Sequence, residues 1–233
     1  MLWYSIIVTF FSLIILTAFC LLLYREGYVT KIFVKLGWIE NRAKINWTAF
    51  SWNNMLEKLN YKADVVFFGD SIIRGSDFQK TFPNKRIVNL GCSGDTLAGM
   101  SERVNMIKAL NPKQIFILAG INGLTDKNIE MSIKTYEGML DKIKENNPDS
   151  KIYVHSVLPL SELKEKTICK NKTIKLFNEK ISVLAYKKDI MFIDIYSIYE
   201  KNGVLNPELT VDGIHLHPYA YDNWANVLKK YII

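Results

Sequence analysis

Along the chain, short runs of consecutive apolar residues alternate with longer stretches in which apolar positions recur at helical spacing. The runs are Val65 to Phe68, Ile87 to Leu90, Ile115 to Ala119, Ile152 to Leu158 and Met191 to Ile195. Each is continuous rather than alternating and rich in β-branched or aromatic side chains, the pattern of strands covered by helices on both faces. Between them, Met100 to Leu110, Asn128 to Asn146 and Asn171 to Lys187 carry charged outer faces, which predicts amphipathic helices. Five strands with helices between them imply an α/β fold with a parallel, doubly wound sheet.

The first 24 positions, Met1 to Tyr24, depart from this pattern: they hold no charged side chain, and only Ser5, Thr9, Ser12 and Thr17 fall outside the apolar set. As a helix rising ~1.5 Å per residue, the run reaches roughly 36 Å, enough to cross a hydrocarbon core of ~30 Å with some tilt. Residues 1–24 are read as a single-pass transmembrane anchor. A cleaved signal peptide would need a basic n-region, a shorter apolar core and a small-x-small cleavage site, none of which is evident. Residues 25–62 follow as a basic juxtamembrane linker and leading helix, with Trp38, Trp47, Phe50 and Trp52 scattered through it. Residues 63–233 form the folded domain.

Composition outside the anchor is that of an ordinary globular domain and excludes disorder, a collagen-like repeat and a multi-span transporter. Charge changes the picture more. Between Arg25 and Lys62 seven basic residues face three acidic ones, so this stub holds +4 of the formal +7. A basic collar beside an apolar run suits anionic lipid headgroups. A nucleic-acid surface would gather Lys and Arg with stacking aromatics on one face of the domain, so no nucleic-acid partner is expected. The three cysteines, Cys20, Cys92 and Cys169, show no metal-ligand spacing, and neither a metal nor a cofactor is expected. Cys92 and Cys169 are left open as either a pair or two reduced thiols.

In open parallel sheets ligands bind outside the carboxyl ends of the strands, and four ends here carry suggestive residues. They are Gly69-Asp70-Ser71-Ile72, then Gly91-Cys92-Ser93-Gly94-Asp95-Thr96, then Gly120-Ile121-Asn122-Gly123, and near the C-terminus Asp212-Gly213-Ile214-His215-Leu216-His217-Pro218. Acyl transfer needs a hydroxyl, a base to take its proton, a group to orient the base, and donors aimed at the developing oxyanion. Ser71, where a strand turns into a helix, is the candidate nucleophile. His215 is the candidate base, and Asp212, three residues earlier, would hold its tautomer. The N–H groups of Ser71 and Gly94 and the Asn122 amide would form a three-donor oxyanion hole. His155, inside a predicted strand, and His217, before a proline, are read as packing residues. Each fragment alone is commonplace; their order and placement at strand ends give the pattern its weight.

These fragments resemble the blocks of the SGNH or GDSL-type hydrolases, in order, across roughly residues 64 to 230. Asp64 to Ser71 is similar to the first block, with Ile72 in place of the usual Leu. Ser93-Gly94-Asp95-Thr96 is similar to the second, which assigns Gly94 rather than Gly91 to the oxyanion hole. Gly120-Ile121-Asn122 resembles the third, although the usual Asn-Asp is here Asn122-Gly123, and Asp212 to His215 resembles the fifth. The resemblance implies a flavodoxin-like three-layer α/β/α fold, a metal-free serine mechanism through an acyl-enzyme, and activity on esters, often acetyl groups on carbohydrates or lipids. Neither the Gly-x-Ser-x-Gly elbow of α/β-hydrolases nor a nucleotide loop or metal helix is present.

The expectation is a membrane-anchored serine esterase cleaving a small-molecule or glycan ester. One alternative is an O-acetyltransferase of a cell-envelope polysaccharide, which would use the same acyl-enzyme and call for a membrane-protein partner delivering acyl groups. Another is a non-catalytic interaction module. Five basic residues just after the anchor favour a cytoplasmic domain by the positive-inside rule. Members of the resembled family are often exported, and the extracytoplasmic side is narrowly preferred.

Overall fold

The computed structural model describes residues 61–232 and, ahead of them, Thr17. Apart from Thr17, Tyr61 and Lys62, the expected anchor over residues 1–24 and the linker and leading helix over 25–62 lie outside the described residues. Among the described residues no helix is long and apolar enough to cross a membrane.

The described chain runs β1 (Val65–Gly69), α1 (Ser71–Arg74), α2 (Phe78–Thr81), β2 (Ile87–Gly91), α3 (Leu97–Glu102), α4 (Asn105–Leu110), β3 (Gln114–Leu118) and α5 (Ile129–Asn146). It continues with β4 (Lys151–His155), α6 (Glu162–Glu165), α7 (Asn171–Lys187), β5 (Met191–Ile193) and α8 (Tyr196–Tyr199). A small hairpin of β6 (Glu200–Lys201) and β7 (Val204–Leu205), which the apolar pattern does not predict, precedes α9 (Tyr221–Leu228). Strands β1 to β5 form one parallel sheet in the order β2-β1-β3-β4-β5. This is the flavodoxin-like order, whose direction of winding reverses between β1 and β3.

Both faces of the sheet are covered. Side chains alternate across a strand, so Val66, Phe68, Ile115, Ile117 and Val154 point to the layer containing α3, α4, α5 and α7. Val65, Phe67, Phe116, Leu118 and Tyr153 point to the opposite layer, where Ile73, Phe78, Tyr199 and Trp224 meet them. On that second face Phe67, Phe116 and Tyr153 are register partners on three adjacent strands. Their rings stack at centroid separations of 5.1 and 4.4 Å. His155 is wholly buried beside this ladder, accepting the Trp224 Nε1–H at 3.3 Å.

Three expected elements break or end inside their predicted bounds. The helix predicted over Met100 to Leu110 is two helices, because the backbone leaves α3 at Arg103, whose guanidinium turns back beneath the sheet edge. The run Ile152 to Leu158 leaves the sheet after His155. Beyond it, side-chain amides of α7 replace the neighbouring strand: Asn178 accepts the Val157 N–H at 2.8 Å and donates to its carbonyl at 2.9 Å. Asn171 does the same for Leu160, at 2.8 Å in both directions. Strand β5 stops at Ile193 because Ser156 Oγ accepts the N–H groups of Ile195 and Tyr196 at 2.8 and 2.7 Å.

The ring ladder on the central strands yields a stability prediction. Phe116→Ala should lower unfolding stability by about 3–5 kcal/mol, while Tyr186→Ala, 86% exposed on α7, should stay within ~0.5 kcal/mol. Urea titrations with unchanged slope read both values; equal midpoint shifts would contradict the packing described.

Candidate active site

Strand β1 ends at Gly69, level with Gly91 on β2 and Leu118 on β3. The chain turns directly into α1, so Ser71 is its first residue and Asp70 its N-cap. Asp70 Oδ1 accepts the Ile72 N–H at 2.9 Å, satisfying one of the donors that a helix start leaves open. The loop after β2 is a tight turn closed by the Asp95 N–H donating to the Cys92 carbonyl at 3.2 Å. Its third residue, Gly94, sits at φ +73°, a left-handed conformation that favours glycine. After β3, Gly123 lies at φ +86°, also left-handed, so glycine fits the backbone where the resembled family usually has aspartate. The Asn128 side chain ties this loop down, donating to the Gly123 carbonyl at 2.7 Å and accepting the Thr125 N–H at 2.8 Å.

The segment 210–215 arrives from the other end of the chain and is folded on itself. Asp212 Oδ1 accepts the N–H groups of Ile214 and His215 at 3.0 and 2.8 Å. Oδ2 meets His215 Nδ1 at 2.8 Å, and His215 Nε2 lies 2.9 Å from Ser71 Oγ. Asp212 and His215 are each 42% exposed, so the arrangement opens to solvent. Partial burial pulls the Asp212 carboxyl upward, but hydrogen bonds from the His215 and Ile214 N–H groups and the His215 ring outweigh it, and the pKa falls to about 2. An ionised Asp212 only accepts, so Nδ1 carries the ring hydrogen and Nε2 faces the Ser71 hydroxyl as an acceptor.

Each of the three candidate oxyanion donors keeps a hydrogen that no described residue accepts. Among the described residues the N–H groups of Ser71 and Gly94 donate to no protein acceptor. Asn122 Nδ2 donates one hydrogen to the Asp95 carbonyl at 2.9 Å, which leaves its second hydrogen unused. The structure therefore brings together Ser71, Asp212 and His215 in one hydrogen-bonded line and places Asn122 on the same loop system as Gly94. Of the histidines set aside, His155 is in the core, whereas His217 is partly exposed and stacks on Tyr219 at 5.2 Å. Cys92 and Cys169 are buried free thiols, and burial pushes Cys169 up to about 11. Among the described residues no group of three or more His, Cys, Asp or Glu side chains could hold a metal ion.

Sequence reasoning missed the buried charges beneath the site. Asp70 is wholly buried and its Oδ2 has no partner. Burial, reinforced by the nearby Asp95 charge and opposed by the Ile72 N–H and by the His215 and Arg103 charges, pushes Asp70 up to about 7. Arg103 Nε donates to Asp95 Oδ2 at 2.5 Å. The only signal of that pair was two opposite charges eight residues apart, wider than the spacing that joins residues on one helix face.

Residues 67–222 match the GDSL-like Lipase/Acylhydrolase family. The chain belongs to that family. A curated relative, the N-acylneuraminate cytidylyltransferase of Streptococcus agalactiae serotype V, is 26% identical over 164 residues, 70% of this chain and 37% of the relative. The chain thus spans about a third of the length of the curated relatives it matches. Among solved structures, a GDSL-like lipase from Bacteroides thetaiotaomicron VPI-5482 superposes with a TM-score of 0.66 at 25% identity, covering 81% of this chain and 97% of that one. The acetyl xylan esterase AlAXEase has a TM-score of 0.62 at 19% identity, covering 72% and 99%. The lipopolysaccharide acetyltransferase periplasmic domain of Salmonella ser. Paratyphi A has a TM-score of 0.56 at 19% identity, covering 74% and 84%. With these last two the likeness is one of fold.

The buried Asp70 gives this family member a pH signature. Its folded pKa, about 7, lies above the ordinary 3.8, so the folded state holds the proton more tightly than the unfolded state does. Its contribution to stability is therefore most favourable below about pH 4 and declines as pH rises towards 7. Asp70→Asn should flatten that part of the profile: the stability of wild type relative to the variant should fall between pH 4 and 7. Parallel profiles in urea melts at stepped pH would contradict the assignment.

Proposed function

We propose that the protein is a serine hydrolase that cleaves carboxylic esters, acetyl groups foremost, through Ser71, His215 and Asp212. The observation that carries this reading is the continuous line from Asp212 Oδ2 through the His215 ring to Ser71 Oγ, with contacts of 2.8 and 2.9 Å. Ser71 Oγ attacks the ester carbonyl carbon while His215 Nε2 takes its proton, and ionised Asp212 stabilises the imidazolium that forms. Negative charge gathering on the carbonyl oxygen is met by the Ser71 and Gly94 N–H groups and the second Asn122 amide hydrogen. Collapse of the tetrahedral intermediate returns the proton from His215 to the leaving alcohol and leaves an acyl group on Ser71. Water, deprotonated by the same histidine, then releases the acid.

Family membership and the fold shared with an acetyl xylan esterase support an acetylated carbohydrate as substrate. The sugar named in the curated relatives makes an O-acetylated N-acylneuraminate one member of the panel to be screened. The second reading is transfer, in which an acceptor hydroxyl replaces water; the fold shared with a lipopolysaccharide acetyltransferase domain favours keeping it. Residues 1–24 would serve as the anchor that holds the domain at the membrane, on its outer side. Carbonate-resistant sedimentation of the full chain with membranes, lost on deleting residues 1–24, is the expected result; unchanged sedimentation of the truncated chain would remove the anchor.

The catalytic reading predicts that a fluorophosphonate probe labels the wild type and not Ser71→Ala, which should hydrolyse no acetyl ester above background. Asn122→Ala should lose about 10²–10³ in kcat, and Asp212→Asn about 10²–10⁴, measured first on 4-nitrophenyl acetate. Full turnover by Ser71→Ala would sink the proposal. Acetate release without acylated acceptor separates hydrolysis from transfer.

A further inference from the structure

The oxyanion donors come from three loops that share no covalent frame shorter than a strand: Ser71 follows β1, Gly94 follows β2 and Asn122 follows β3. One buried side chain is bonded to the framework of the first two, and its partner is bonded to the third. Arg103, only 12% exposed, donates through Nη2 to the Gly69 carbonyl at 2.7 Å, two residues before Ser71. Through Nη1 it donates to the Leu90 carbonyl at the end of β2, also at 2.7 Å. Through Nε it reaches Asp95 Oδ2 at 2.5 Å, and Asp95 is the residue whose N–H closes the turn around Gly94. The Asp95 carbonyl in turn accepts from Asn122 Nδ2 at 2.9 Å. The guanidinium lies over the Phe68 ring, 4.3 Å from its centroid, which fixes its plane from below.

We infer that Arg103 and Asp95 are positioning residues that set the spacing of the three oxyanion donors. Neither carries a group that meets the substrate, and the inference rests on the proposed function. A planar guanidinium with rigidly forked donors can bridge two carbonyls and a carboxylate at fixed separations. A lysine ammonium at this depth would be a single point charge and could not meet all three. Geometry matters here because an oxyanion donor works by being in place before charge develops, so small displacements reduce the rate without weakening ground-state binding. The same network explains why Asn122 presents only one hydrogen to the site: the other is committed to holding the amide on the Asp95 loop.

The test uses Arg103→Met, Arg103→Lys and the shape-preserving Asp95→Asn, each with and without Asn122→Ala, on 4-nitrophenyl acetate. Arg103→Met and Asp95→Asn are expected to lose about 10–100-fold in kcat with KM within about twofold, and Arg103→Lys should not restore the rate. Because the pair acts through the same donors, adding Asn122→Ala to Arg103→Met should cost far less than the product of the two single losses. A folded Arg103→Met or Asp95→Asn enzyme with kcat within twofold of wild type overturns the inference, and so do losses that multiply with Asn122→Ala. If Arg103→Met does not fold, Asp95→Asn carries the same comparison. Absence of ester turnover by wild type would defeat the proposed function instead, whereas wild-type turnover that Ser71→Ala abolishes and the Arg103 and Asp95 variants retain defeats this inference alone.

Discussion

The site depends on the parallel pairing of β1 with β2 on one side and β3 on the other. Parallel register puts Gly69, Gly91 and Leu118 level, so the three chains leave the sheet at the same edge and within reach of one another. Each must then cross back over a face of the sheet before its next strand, which parallel pairing requires. Because the winding reverses between β1 and β3, the outgoing loops diverge to opposite faces and leave a crevice between them. Ser71, Gly94 and Asn122 follow β1, β2 and β3 at this edge for that reason, although they lie far apart in the chain. The fourth contributor, the segment 210–215, is delivered after β5 through the small hairpin.

A sheet edge that ends inside the protein leaves carbonyl and N–H groups that water cannot reach, and unpaired they would each be costly. In this domain polar side chains complete those bonds. Arg103 takes the Leu90 carbonyl and adds a second donor to that of Gly69, which also accepts the Cys92 N–H; Asn178 serves both polar groups of Val157, Asn171 both groups of Leu160, and Ser156 the N–H groups of Ile195 and Tyr196. Asn171 and Asn178 are seven residues apart on α7 and so lie on the same helix face. Some of the groups that finish the sheet also bond to the loops that carry the candidate donors.

This division explains what could be read from the sequence. Continuous apolar runs located all five strands, and the long helices α5 and α7 fall within a residue of their expected bounds, because burial on two faces leaves an unbroken hydrophobic record. Ser71, Asp212 and His215 could be picked out because strand ends concentrate glycine turns and exposed polar residues, and chemistry narrows the roles those can fill. Strand ends were misplaced where a side chain took over from a strand: Val157 and Leu158 are as apolar as their neighbours, and nothing local announces that Asn178, twenty-one residues on from Val157, supplies its partner. The break at Arg103 was equally invisible, since one carbonyl its side chain reaches, that of Gly69, lies thirty-four residues earlier. The reading of residues 1–60 rests on pattern and charge alone.

The carboxylates around Ser71 are sorted by environment into different charge states, and the sorting suits acyl transfer. Asp212, open to solvent and accepting three N–H bonds, is ionised above about pH 2 and faces the histidine that becomes positive. Asp70 adjoins the nucleophile on its inner side, wholly buried, and is held neutral up to about pH 7. A second fixed anion there would oppose the oxyanion proposed to form at the Ser71 N–H, and a low-dielectric interior would amplify the repulsion. Asp95 lies nearby as well, and burial raises it, but the Arg103 guanidinium sits directly against it. Negative charge is therefore favoured at Asp212, beside the imidazole, and disfavoured at Asp70. One edge of the sheet thus offers both charge environments that the proposed acyl transfer would need.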